Sequence, residues 1–176
     1  MIDESVRIRK NGKTVCMLGD SNISGYDNYF WWQLGLVLDI LKRNENNVEA
    51  CLKEFEKETY FVVMDNNEEL DVLTIDLDAN TVDMPLFPLY KFEEVEPDMC
   101  CISLKLKDGK YYSVYEDGEE YEMYYVTFDR VDLLKAKKLT IDEMMIVINF
   151  VNELVDKYND TDFILNNELV IRFNFA

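Results

Sequence analysis

The pattern that most constrains this chain is a run of strict alternation followed at once by a turn. Ile102, Leu104 and Leu106 alternate with Ser103, Lys105 and Lys107, and Asp108-Gly109 comes next. Successive side chains of a strand point to opposite faces, so this run puts apolar residues on one face and polar ones on the other. Asp-Gly supplies the backbone freedom that a tight hairpin needs. Residues 111–115 read as the return strand, Asp117-Gly118 as a second turn, and 121–128 as a third strand. A β-meander is expected, which commits this part of the chain to an antiparallel sheet with one buried face.

The remaining segments fit around that sheet. Val6-Arg7-Ile8-Arg9 also alternates, and Asn11-Gly12 turns it into a second strand over 14–18. A polar loop over 19–28 leads to a helix over 29–43, capped by Asp27 or Asn28. Phe30, Leu34, Val37, Leu38 and Leu41 make its apolar stripe, and Trp31, Trp32, Leu36 and Ile40 widen it. A second helix over 48–58 sets Val48, Cys51, Leu52 and Phe55 at helical spacing and turns Glu49, Lys53, Glu56 and Lys57 outward. Residues 60–64 read as a strand and 71–84 as a hairpin turning near Ala79-Asn80. Pro85, Pro88 and Pro97 bracket an irregular acidic stretch. Thr140-Ile141-Asp142-Glu143 has the form of a capping box and opens a helix to about residue 158. Its inward residues are Ile141, Met144, Met145, Ile148, Val151, Val155 and Tyr158, and Leu169, Ile171, Phe173 and Phe175 alternate in a last strand. This order lacks the regular β-α alternation of parallel doubly wound folds. The predicted fold is a single α+β domain over residues 1–176: a mostly antiparallel sheet with a β-meander and about three helices packed on it.

Charge narrows the function. Thirty-six acidic residues face eighteen basic ones with no His, for a net −18. Residues 1–44 carry +1, residues 45–98 carry −13 and residues 99–176 carry −6, so the acid is concentrated in the middle. Such a field repels nucleic acid and anionic membranes and speeds encounter with basic surfaces. The longest apolar run, 34–41, is broken by Asp39 and is far too short to span a bilayer. Met1-Ile2-Asp3-Glu4 has no basic, then apolar, leader pattern. Cys16, Cys51, Cys100 and Cys101 lack metal-site spacing, and in a strand the adjacent Cys100 and Cys101 point to opposite faces. Four reduced thiols and a cytoplasmic location are expected.

The motifs argue against catalysis. Without His there is no Ser-His or Cys-His dyad and no His-ligated zinc. Asp76-Leu77-Asp78-Ala79-Asn80 imitates the start of a calcium loop, but Thr81 stands where Gly is needed and Phe87 where a chelating Glu belongs. Asp108-Gly109-Lys110 is the nearest approach to a nuclease-like acid and lysine, and it sits at a hairpin turn. There is no Gly-rich phosphate loop. The expectation is a non-enzyme with no cofactor and no metal.

What the chain does offer is acid beside aromatic surface. Candidate contacts are Glu68, Glu69, Asp71, Asp76 and Asp78, then Glu93, Glu94 and Glu96. A third group is the meander tip, where Glu116, Asp117, Glu119, Glu120 and Glu122 put five acids in seven residues, with Tyr115 and Tyr121 beside them. Carboxylate beside tyrosine grips Lys and Arg through ion pairs and cation–π contact. Phe30-Trp31-Trp32 sweeps about 200° of helix surface, so one stripe cannot bury all three, and Trp31 or Trp32 is a candidate anchor. In size, acidity and lack of catalytic groups the chain is similar to toxin-immunity proteins and to phage-encoded anti-restriction and anti-CRISPR proteins. That likeness is one of general character over the whole chain, without a shared motif. The expected function is a small acidic inhibitor that mimics nucleic acid to block a basic, nucleic-acid-binding effector such as a nuclease, binding neither nucleic acid nor membrane itself. The alternatives are a protein-interaction or regulatory module and a carboxylate- or metal-dependent enzyme.

Overall fold

Asn11 and Gly12 both take positive φ, 56° and 73°, and close a two-residue hairpin in which Lys10 faces Lys13. That turn starts the fold. The computed structural model describes residues 5–19, 28–58, 61–64, 68–69, 71–84, 90–94, 100–112, 124–125, 138–158 and 167–173. They form an α+β fold with three helices and two mostly antiparallel mixed sheets. The first elements are β1 (Val6–Lys10), β2 (Lys13–Gly19), α1 (Asn28–Arg43), α2 (Val48–Lys57), β3 (Val62–Met64), β4 (Leu73–Asp76) and β5 (Thr81–Asp83). After them come β6 (Lys91–Glu94), β7 (Cys101–Lys105), β8 (Tyr111–Tyr112), β9 (Tyr124–Tyr125), β10 (Leu139–Thr140), α3 (Ile141–Tyr158) and β11 (Glu168–Phe173). The residues group into two compact units: Met1–Phe87 with Leu139–Met145, and Pro88–Lys138 with Ile146–Ala176.

The first unit carries a six-stranded sheet in the order β10-β5-β4-β1-β2-β3. Its register lines up Leu18, Val6 and Leu73 in one row, and Cys16, Ile8, Ile75, Val82 and Leu139 in the next. Paired residues point the same way, so these buried side chains form one apolar face. The opposite face reads Met17, Arg7, Thr74 and Asp83, with Asp76, Thr81 and Thr140 beside them. The β1–β4 pair is parallel, because β2 and then β3 each reverse the chain, so that it runs in the direction of β1 again when it crosses from β3 to β4.

Local chemistry sets the helix ends. The Asn47 side chain accepts the Ala50 N–H at 3.1 Å and starts α2, after a turn in which Glu45 and Asn46 take positive φ. Cys51 and Phe55 are buried while Glu49, Lys53, Glu56 and Lys57 are exposed, as the spacing requires. α1 packs against α2, and α2 against β3. The capping box at α3 is fully made: Thr140 Oγ1 accepts the Glu143 N–H at 3.1 Å, and the Thr140 N–H donates to Glu143 Oε1 at 2.8 Å.

The second unit carries a sheet in the order β6-β11-β7-β8, with β9 also on β7. Ile102, Leu104, Leu169 and Ile171 share its buried face. The Asp108-Gly109 hairpin forms as expected, with Gly109 at φ 87°. β8 and β9 both pair with β7, one at Leu104 and Lys105, the other at Cys101 and Ile102. The acidic stretch expected to be irregular holds a strand, β6, paired in parallel with β11. Lys91-Phe92-Glu93-Glu94 has too little alternation to read as a strand; a partner distant in sequence makes it one.

Candidate interaction surface

The structure divides the acidic candidates into two kinds. Some are spent on internal donors. Glu68 accepts from Thr14 Oγ1 at 2.6 Å and from Arg9 at 3.1 Å, with Arg7 Nε at 3.9 Å. Asp76 Oδ1 accepts the N–H groups of Asp78 and Ala79, and Asp78 accepts the Asn11 N–H at 2.6 Å. Those two carboxylates hold turns together, and the calcium-loop resemblance at Asp76 is a hairpin turn with Asn80 at φ 55°. Others project outward: Glu69, Asp71 and Glu94 are exposed. Glu96, Glu116, Asp117, Glu119, Glu120, Glu122, Tyr115 and Tyr121 lie outside the described residues. Of the two tryptophans, Trp31 is buried at 4% exposure and belongs to the core, whereas Trp32 is 42% exposed.

Glu93 belongs with the internal group. It receives a hydrogen bond from the Tyr111 hydroxyl and pairs with Lys105 at 3.0 Å. The Arg172 guanidinium stacks 3.5 Å from the Tyr111 ring centroid, and Lys105 Nζ lies 5.7 Å from the same ring. Cys101, Ser103, Lys105, Tyr111, Glu93 and Arg172 all share the polar face of the second sheet by register. Four strands are tied together here through side chains as well as backbone. Residue type alone gave no sign of this, since Arg172 and Lys105 read as ordinary outward positions of alternating strands.

The apolar side is equally informative. Trp32, Val63 and Met64 are the large hydrophobic residues exposed among the described residues, the last two at 46% and 38%. Both sit on β3, at the end of the six-stranded sheet. Val63 lies opposite the buried Leu18, and Met64 opposite Met17. The Ser5 hydroxyl donates to Met64 Sδ at 3.2 Å, and Gly19 leaves the room that the Met64 side chain occupies, since a Cβ there would collide with its sulfur. The sequence marks 60–64 as a strand but not as an edge, because edge position is a property of topology.

Nucleophilic chemistry is poorly served by the thiols. All four cysteines are buried and none is in a disulfide. Burial, with a smaller push from Cys51, raises the Cys16 thiol to about 11. Burial also raises Cys51 and, against the opposing pull of Arg172 and the Ser103 hydroxyl, Cys101. At pH 8 only about one Cys16 in a thousand is thiolate, the reactive form. Native protein should therefore react slowly with a disulfide reagent at pH 8, while denatured protein should titrate four thiols at once. Fast stoichiometric labelling of the native chain would contradict this burial.

Among the described residues no group of three or more His, Cys, Asp or Glu side chains is placed to hold a metal ion, and no helix is long and apolar enough to cross a membrane. No family model matches the chain, and neither does any curated protein or solved structure.

Proposed function

We propose that this protein is a small acidic inhibitor that binds and blocks a basic, nucleic-acid-binding effector, working by contact rather than by chemistry. The observation that carries this reading is the acid excess, net −18 with −13 between residues 45 and 98. Internal pairing does not offset it. Arg7, Arg9, Lys42, Arg43, Lys91 and Lys105 are each held by a carboxylate, so these bases are already engaged when another molecule arrives. Glu69 and Asp71 of the first unit and Glu94 of the second are each exposed, and all three belong to that acidic stretch of the sequence. Carboxylates held outward on folded segments present Lys and Arg with the charge they would meet on a nucleic acid, and they steer encounter. The four buried thiols suit a reducing compartment, the cytoplasm.

The test is capture of the partner from the native host, followed by association kinetics over a salt series. Between roughly 0.05 and 0.5 M salt the association rate should fall by about tenfold or more. Charge reversal at Glu69, Asp71 and Glu94 should slow association and flatten the salt dependence. Salt-indifferent binding, untouched by those reversals, would leave acidity with solubility alone and sink the reading. Exposed Trp32 supports the alternative of an aromatic-anchored interaction module. In that case Trp32→Ala speeds dissociation and leaves the salt dependence intact.

A further inference from the structure

We infer that Asn11 is a site of spontaneous modification, where attack by the Gly12 backbone nitrogen expels the side-chain amide and leaves an aspartyl or isoaspartyl residue. The inference is independent of what the protein binds. Asn11 and Gly12 are both exposed at the tip of the β1–β2 hairpin, with φ of 56° and 73°. In this two-residue turn the ladder closes between Lys10 and Lys13, so the Gly12 N–H stands outside it. Nothing among the described residues lies within 4 Å of the place a Cβ on Gly12 would take. The attacking nitrogen therefore has no side chain beside it on its own residue, and solvent reaches the amide it attacks.

The step needs no reactant beyond water. The Gly12 nitrogen gives up its proton to water and attacks Asn11 Cγ. The N–Cγ bond forms, the Cγ–Nδ2 bond breaks, and the departing amide takes a proton and leaves as ammonia. Water then opens the five-membered imide. At Cγ it gives aspartate; at the main-chain carbonyl it gives isoaspartate, with the chain now routed through the side chain. Nothing is oxidised or reduced. Asp78 sets the pace and bears the consequence. It accepts the Asn11 N–H at 2.6 Å, which ties this tip to the β4–β5 turn. That bond restrains the Asn11 backbone, and the carboxylate's charge opposes deprotonation of the next nitrogen. Each product sets a second carboxylate beside Asp78, and isoaspartate adds a carbon to a turn of fixed register, so the tie loosens. Asn80 is the built-in control. It is exposed with φ at 55°, but the β-branched Thr81 follows it and crowds the nitrogen. Asp108-Gly109 is as open as Asn11-Gly12, yet an aspartate has no ammonia to release.

Incubation of the full chain in warm, mildly alkaline buffer, followed by ammonia release and peptide mapping, tests this. The first ammonia should come from the peptide holding Asn11, which appears in aspartyl and isoaspartyl forms while Asn80 keeps its amide. Asp78→Ala should speed the loss about tenfold, and Asp78→Asn, which keeps an acceptor without the charge, should fall between. The converted chain, separated by its added charge, should exchange the backbone amide of residue 11 faster. Unchanged exchange there overturns the loosening, and an Asp78→Ala chain that loses ammonia at the original rate overturns the restraint by Asp78. Equal loss at Asn11 and Asn80 overturns the site itself. Should Asp78→Ala unfold the chain, the unsubstituted protein decides the matter: loss at Asn11 in urea with none in buffer means that the folded turn forbids the attack, and the proposal fails.

Discussion

Phe55→Ala should lower the stability of the fold by about 3–5 kcal/mol, read as a fall in the urea midpoint at an unchanged slope. Phe55 is 1% exposed and lies on the inner side of α2, with its ring edge-on to Phe61 at 5.5 Å and 76°. Truncation loses the transfer energy of a full aromatic ring and the paired-ring contribution, and it leaves a cavity that a helix of ten residues, packed against α1 and β3, cannot readily collapse into. Domains of this kind are typically stable by only about 5–15 kcal/mol, so the loss is a large share of the whole. Phe55→Leu keeps most of the volume and should cost far less, and Lys53→Ala on the exposed side should stay within about 0.5 kcal/mol. Equal effects at Phe55 and Lys53 would mean that α2 is not docked through Phe55.

The segments that were legible in the sequence are those whose signal is local. Asn11-Gly12 and Asp108-Gly109 announce their hairpins through residues that tolerate positive φ, and both are found there. Thr140 and Glu143 announce a helix start, and their side chains make the reciprocal bonds that the spacing implies. Pairing between distant segments was not legible. The single expected sheet is two, the β1–β4 and β6–β11 pairs are parallel, and β6 arises from a stretch without alternation. Each of these depends on which strand arrives alongside, and composition does not encode that. The inner face of α3 was only partly foreseen: Val147 and Phe150 are buried as well as Ile148 and Val151, while Met145 is half-buried.

The candidate surface shows the same division. Charge and its concentration in the middle of the chain are countable, but which carboxylates remain available is decided by donors far away in sequence. Glu68 meets Thr14 and Arg9 across more than fifty residues, and Asp78 meets Asn11 across more than sixty. The tryptophan pair is the converse case. Two adjacent helical residues lie about 100° apart, so one stripe leaves one of them out, and the residue left out is Trp32.

Adjacent acids on β6 should respond to the same substitution in different ways, because only one of them is built into the sheet. Glu93→Lys should destabilise the fold by about 2–4 kcal/mol, whereas Glu94→Lys should change it by no more than about 0.5 kcal/mol. Glu93 faces the polar side of its sheet, level with Arg172, where it accepts from Tyr111 and pairs with Lys105. A lysine there removes the carboxylate that Lys105 and Tyr111 share and sets a third cation beside Lys105 and Arg172. It also leaves the Tyr111 hydroxyl without its acceptor. The side chains of Glu93 and Lys105 are about two-thirds covered, at 28% and 32% exposure, so water screens the repulsion only in part. Glu93→Gln keeps an acceptor for Tyr111 and loses only the charge, which places it between the two. Glu94 is exposed on the other side of the strand, so reversing it should leave the urea midpoint in place and alter only the encounter with a basic partner. If Glu93→Lys and Glu94→Lys shift the midpoint equally, Glu93 is a surface charge after all. If they differ as expected, the acid that β6 offers a partner is Glu94, and Glu93 is part of what holds β6 to the sheet.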